Sequence, residues 1–312
     1  MKVVMINDCS HVGETILKYL PENFEKTHIK RGRGLWHKTF GLAYNVLKAK
    51  GTIYHVHYLL QDCYLALRFG KYPVIGHAHG SDLRETIDHK VWGRIVRHNL
   101  KNCHKILVST PDTLEKAKEF NEDTEYLPNP VDTSIFYPKP LIKRSNDKLH
   151  VLIGSANDWE KKGTDIAIQA LNRIRENVDI CIIRYGKDFE KTLKLANSLN
   201  LKLHAYPKAP HKYISEYYWN ADLVIDQFPE SGTIGMIALE AIACGRPVIT
   251  YISSKYSAHN DFPLKDIDSV DKIVQVLRNK DLSELRKHEY KYLQLNHNPQ
   301  KLAKKFQDLY KH

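Results

Sequence analysis

The chain has 312 residues, 42% hydrophobic and 27% charged, with a formal net charge of +11. That length suits two domains with full cores, and the composition excludes a disordered, collagenous or repetitive protein. No apolar run approaches the ~20 residues needed to cross a bilayer, and the positive charge suits an anionic ligand or surface, with no nucleic-acid-binding motif beside it.

In chain order, residues 3–6 are the first strand candidate; this short apolar start reads as a buried strand and not as a secretion signal. A helix follows over 13–19 after a turn. Residues 53–58 and 74–79 are strands with a helix over 61–69 between them, and 106–109 is a strand before a helix that opens with Pro111. Pro128, Pro130, Pro138 and Pro140 then cluster ahead of the polar stretch 143–148, the best candidate linker. A second series begins beyond it: strand 150–153, helix 164–174, strand 179–185, then 214–219 leading into strand 223–226, helix 235–243 and strand 247–251. The tail is helical, its last segment opening with Asn298-Pro299.

Short strands alternating with helices imply parallel sheets with crossover helices. The expected class is therefore α/β, two Rossmann-like doubly wound domains over residues 1–142 and 143–295, with 296–312 a final helix packing back toward the first domain. In such sheets ligands bind beyond the carboxyl ends of the strands, so two units predict a cleft between them lined by the loops that follow strands.

The five cysteines are scattered, with no CxxC pair, which speaks for a reducing compartment and a cytoplasmic protein. His55-Val56-His57 and His77-Ala78-His79 place two imidazoles on one face of each of two strands. Adjacent strands would gather four imidazoles, either as a metal site or as packed, hydrogen-bonded side chains. No carboxylate or cysteine stands at ligand spacing, which favours the second and an expectation of no metal.

The strongest local signal runs from Glu230 through Gly232, Thr233, Ile234, Gly235 and Met236 to Glu240, then through Gly245-Arg246-Pro247-Val248. A glycine-containing loop entering a helix offers free amides and a positive dipole end to phosphate. Glu240, partway along the helix, can accept hydrogen bonds from a ribose; alternatively the glycines only make the turn and Glu240 is an ordinary surface residue.

This segment resembles the signature of the large retaining glycosyltransferase group called family 4, or glycosyl transferases group 1, which has the GT-B fold. That signature has a glutamate, seven residues, a second glutamate and then Ala-x-x-x-Gly-x-Pro-Val. Glu240 matches the second glutamate, and Ala241, Gly245, Pro247, Val248 and Gly235 match the rest; the first glutamate falls on Gly232. Three more pieces match in order: His79-Gly80-Ser81-Asp82, the stretch from Pro128-Asn129 through Val131-Asp132 to Phe136-Tyr137-Pro138, and Lys162-Gly163-Thr164-Asp165. Gly154 matches a glycine that the family follows with an arginine, replaced here by Ser155.

The resemblance implies transfer of a sugar from a nucleotide-diphosphate donor to a hydroxyl acceptor, a glycan or lipid-linked, with retention of configuration, no cofactor and no metal. Glu240 would hold the ribose, with Gly232 standing where the donor-sugar glutamate belongs. Lys162, or its neighbour Lys161, would hold the diphosphate together with the amides of Thr233 to Met236 and the Gly154 loop. His79 would face the donor sugar, with Asp82 and Gly13 on the acceptor side. A lysine at the leaving diphosphate stabilises the charge that grows there in the transition state. A nucleotide-sugar epimerase or hydrolase on the same fold, and a binding subunit without activity, are the other readings. Finally, Lys30, Arg31, Arg33 and Lys38 surround Trp36. Basic residues beside a tryptophan suit an anionic membrane surface, here the inner face, or a lipid-phosphate acceptor; the plainer reading is a basic surface loop.

Overall fold

The computed structural model describes every residue except 33, 35, 146, 230–233, 257–260, 280 and 312, and the side chains of 37 and 38. Contacts divide the chain into two compact units, Met1–Pro130 with His297–His312, and Val131–Asn296.

The first unit runs β1 (Lys2–Ile6), α1 (Val12–Tyr19), β2 (Glu25–Ile29), α2 (Leu42–Lys48), β3 (Ile53–His57), α3 (Gln61–Arg68), β4 (Val74–Ala78), α4 (Ser81–Arg84), α5 (Trp92–Asn102), β5 (Lys105–Val108), α6 (Leu114–Lys118) and β6 (Thr124–Tyr126). Its six strands pair in parallel in the order β2-β1-β3-β4-β5-β6. The second unit runs β7 (Leu149–Ile153), α7 (Trp159–Lys162), α8 (Thr164–Asn172), β8 (Val178–Ile183), α9 (Phe189–Ser198), β9 (Leu203–Tyr206), α10 (Ser215–Trp219), β10 (Leu223–Ile225), α11 (Met236–Ala243), β11 (Val248–Ile249), α12 (Val270–Asn279) and α13 (Leu282–Asn296). Its five strands, also parallel, are ordered β11-β10-β7-β8-β9. The last helix, α14 (Pro299–Lys311), belongs to the first unit, where it lies against α1.

The central strands are continuous runs of buried aliphatic residues, as two-sided burial in a parallel sheet requires. Val3 to Ile6 are fully buried, and so are Ile106 to Val108 and Leu223 to Ile225. The helices bury one stripe each. Ile16 and Leu17 turn α1 inward, Val96 and Leu100 turn α5, and Leu302, Phe306 and Tyr310 turn α14.

Division at Pro130–Val131 falls within the proline cluster and ahead of the polar stretch 143–148, because the chain beyond it is fastened to the second unit. Phe136 is in that unit's core. Arg246, fully buried in the Gly-x-Pro turn, donates to the carbonyls of Lys139 (2.8 Å), Pro140 (3.2 Å) and Trp219 (2.9 Å). A buried guanidinium is tolerated where its donors are met by carbonyls.

In both sheets the chain order reverses direction once. In the first unit this happens between β1 and β3, and in the second between β7 and β10. Loops leaving neighbouring strands diverge there, which opens a crevice at the carboxyl ends of the strands.

Candidate functional site

At the reversal point of the second unit, β10 ends beside β7, with Ile225 opposite Ile153. Gly154 follows β7. A Cβ there would come within 2.8 Å of Ile237 on α11, so this glycine serves the close packing of α11 on the sheet. Ser155 is buried and donates its hydroxyl to the Asp226 carbonyl, tying the two strand ends together.

Lys162 closes α7, a single turn capped by the Asp158 side chain and ended by Gly163 in the left-handed region at φ 62°. Its ammonium donates to Gln227 Oε1 at 2.6 Å, so it reaches across to the second residue beyond β10. Lys161 is exposed, its amide bonded to Asp158. Of the two lysines, Lys162 is the one directed at the strand ends.

Gly235 is the N-cap of α11 and Met236 its first residue; Ile234 is buried. Gly232 and Thr233 lie outside the described residues. Glu240, the fifth residue of α11, is 4% exposed and so is no surface residue. Its Oε1 is 2.8 Å from His211 Nε2, and its Oε2 accepts the Tyr218 hydroxyl at 3.0 Å. The carboxylate is thereby held in one orientation, with lone pairs to spare on each oxygen. Burial next to Glu240 pushes the Tyr218 hydroxyl well above its usual range, so Tyr218 is a donor throughout the neutral range.

One member of this site was not singled out from the sequence. Asp226 stands just beyond β10, 2% exposed, and among the described residues neither carboxylate oxygen has a side-chain hydrogen-bond partner; the backbone amide of Gly235 lies beside it. It lies against Gly235 so closely that a Cβ there would be 2.4 Å from Oδ2. Burial raises its pKa; the Lys162 charge opposes this, Glu240 adds to it, and the Gly235 amide opposes it. An unpartnered buried carboxylate costs several kcal/mol, so proteins rarely keep one. The only signal in the sequence was position: an acid directly after an apolar strand.

The first unit places the other expected residues. His57 and His77 are register partners on β3 and β4, and all four imidazoles meet. His55 Nε2 is 3.1 Å from His77 Nδ1, and His57 Nδ1 is 2.7 Å from His79 Nε2. Tyr310 from α14 bonds His55 Nδ1 at 2.5 Å, Ser109 reaches His79 Nδ1 at 3.2 Å, and Met5 Sδ is 3.1 Å from His57 Nε2. Only His77 Nε2 is buried without a partner among these ring nitrogens. Ligand atoms of His55, His57 and His77 lie within 4.8 Å of one another, an imidazole-only set. Burial drives all four rings toward the neutral form, His77 down to about 3.

His79, partly exposed at the end of β4, donates its amide to Asp82 Oδ1 at 3.1 Å. Asp82 also accepts the Leu59 amide at 3.2 Å and is raised to about 6 by burial, against the pull of those amides. Gly13 donates its amide to Asp8 at 2.8 Å, and a Cβ on it would be 2.9 Å from His57 Nε2. Gly13, His79 and Asp82 therefore converge around His57, at the reversal point of that sheet.

Two parallel reversing sheets, each with its polar residues gathered at the carboxyl ends of the strands, define a protein of GT-B architecture. Residues 137–258 match the family described as glycosyl transferases group 1. Across its whole length the chain is similar in structure to a sucrose-phosphate synthase from Thermosynechococcus elongatus, with TM-score 0.73, 15% identity and coverage of 100% of this chain and 98% of that one. It is likewise similar to HepE of Anabaena in complex with UDP and glucose, with TM-score 0.70, 12% identity and 99% of both chains covered. Among curated proteins it is 21% identical over 212 residues to N-acetyl-alpha-D-glucosaminyl L-malate synthase of Bacillus anthracis, 63% of this chain. The match spans 55%, about half, of that relative's length.

Proposed function

We propose that this protein is a glycosyltransferase that takes a sugar from a nucleotide-diphosphate donor bound to the second unit. The observation that carries this reading is the β7–β10 reversal point, where Lys162, the start of α11 and the preset carboxylate of Glu240 stand together inside the segment that matches glycosyl transferases group 1. In this reading Glu240 holds the ribose, and Lys162 with the first amides of α11 takes the charge that develops on the leaving diphosphate. No metal ion is then needed, and transfer of a hexose proceeds with retention of configuration. His79 orients the sugar, and the Gly13–Asp82 region takes the acceptor hydroxyl. The UDP bound to HepE and the N-acetyl-glucosaminyl product named for the Bacillus anthracis synthase support the donor class.

The acceptor reading, a lipid-linked glycan at the inner face of the membrane of a cytoplasmic protein, draws on the helical run that ends in α2. Trp36, Phe40, Tyr44 and Leu47 are 67%, 65%, 60% and 53% exposed and share one face at helical spacing, while Leu42 and Val46 bury the other. Such an aromatic face on a basic protein suits a headgroup layer. No helix among the described residues is long and apolar enough to cross a membrane.

A thermal-shift panel of UDP, GDP, ADP and dTDP sugars tests the donor class: a ligand at 100 times its Kd stabilises the folded state by about 2.7 kcal/mol. No shift with any of them sinks the reading. For the surface, flotation on vesicles with and without anionic lipid is the test, and equal recovery of the wild type and Trp36→Ala removes that part.

A further inference from the structure

Lys162 and Glu240 account for two charges in the second unit; Asp226 is a third. Its carboxylate is buried, with no side-chain hydrogen-bond partner among the described residues, at the point where ligands enter such a sheet. Three titratable groups face it. Lys162 comes from α7, Glu240 from α11, and Tyr185 from the loop after β8. Glu240 is already held by His211 and Tyr218. Lys162 is therefore the one cation among these groups that favours the ionised form of Asp226, helped by the amide end of α11 at Gly235.

A diphosphate placed on Lys162 and on the start of α11 would occupy both of those stabilising partners and bring about two negative charges of its own. Nothing would then offset the cost of a buried carboxylate. We propose that Asp226 is the resident counter-anion of Lys162, and that a nucleoside-diphosphate ligand replaces it in that role while its carboxyl group takes up one proton from solvent. The carboxyl becomes a neutral neighbour of the diphosphate, and its new O–H is a donor where an acceptor stood. Donor binding is in this way coupled to protonation, and the site rejects a diphosphate while Asp226 stays ionised. This inference rests on the donor-site reading above.

The test is titration calorimetry with UDP-glucose, or whichever GDP, ADP or dTDP hexose binds more tightly, between pH 5.5 and 8 in buffers of different ionisation enthalpy. A nucleotide sugar has no ionisation of its own in that range, so the protons counted belong to the protein. Wild type is expected to take up about half a proton or more at the pH of its maximum, with affinity falling by up to about tenfold per pH unit above it. Asp226→Asn is expected to bind as tightly or more tightly, with most of this uptake gone and a flat pH profile. Equal heats in all buffers for the wild type, or the same uptake in Asp226→Asn, overturns the proposal. If the variant does not fold, the wild-type buffer dependence decides alone, and uptake that persists in His211→Gln assigns it away from the Glu240 pair and supports Asp226. Failure of every nucleotide sugar to bind refutes the donor site itself, a different result from binding without proton uptake.

Discussion

Each unit keeps a polar cluster at the carboxyl ends of its strands, but the two are built on opposite electrostatic plans. The first is a set of neutral imidazoles that bond one another, with Tyr310 and Ser109 at its margins. The second gathers formal charges, Lys162, Asp226 and Glu240, and leaves one carboxylate without a side-chain hydrogen-bond partner among the described residues. Neutral groups that satisfy each other can be buried at little cost, whereas unmet charge is costly unless a ligand completes it. The contrast is the electrostatic ground for proposing a donor site on the second unit.

The largest way to break this comparison is Lys162→Ala. If the lysine meets the leaving diphosphate, sugar transfer should fall about 100-fold or more, comparable to loss of a preorganised electrostatic group. Wild-type turnover in that variant removes the charged site from the mechanism. Glu240→Gln keeps an acceptor for Tyr218 and should lower transfer less than Glu240→Ala, which leaves Tyr218 and His211 facing an empty space.

Acid should next distinguish the two clusters. The folded-state pKa of each imidazole is depressed, that of His77 to about 3. The unfolded chain binds protons first, so stability is intact above about pH 6.5 and falls below it, by up to ~1.4 kcal/mol per pH unit for each histidine. Urea midpoints between pH 7 and 4 measure this slope, and His77→Leu should flatten it while costing roughly 1–2 kcal/mol at pH 7 through the bond lost to His55. An unchanged slope would mean that this cluster is not what acid attacks.

Buried carboxylates of the second unit carry the reverse sign. Glu289 on α13 accepts the Val248 amide at 2.8 Å, yet its other oxygen has no partner among the described residues, and burial raises its pKa well above the usual range. Keeping it buried therefore costs stability at neutral pH, and the cost fades as pH falls toward the usual carboxylate range. Glu289→Gln should gain about 1 kcal/mol at pH 7, an advantage that vanishes in acid. Thermal melts of the pair at pH 7 and pH 4 are the measurement.

Much of the architecture was legible in the chain. Strands β1, β3, β4, β5, β7, β8, β10 and β11 coincide with apolar runs, since a strand covered on both faces has to be apolar throughout. Strands β2, β6 and β9 were missed, and all three are sheet edges. Glu25, Lys26 and Glu125 are exposed there, so these segments read as polar connections. In the candidate site, Lys162 and Glu240 were singled out through motif and spacing. Asp226 was not, because an acid after a strand means nothing until its surroundings are known. Gly154 had been expected among the phosphate-binding residues, and the structure gives its lack of a Cβ another cause, the contact with Ile237.

By itself, then, the sequence determined the alternation of strands and helices, two cores, and the loops on which polar chemistry falls, because these follow from local periodicity and from where turns occur. Partnership was decided by tertiary structure alone. Glu240 is pinned by His211 and Tyr218 from 22 to 29 residues away, four histidines pair two by two with His77 Nε2 left over, and Asp226 has no side-chain hydrogen-bond partner among the described residues. Hydrogen bonds and desolvation act through space over a few ångströms, and distance along the chain does not record them.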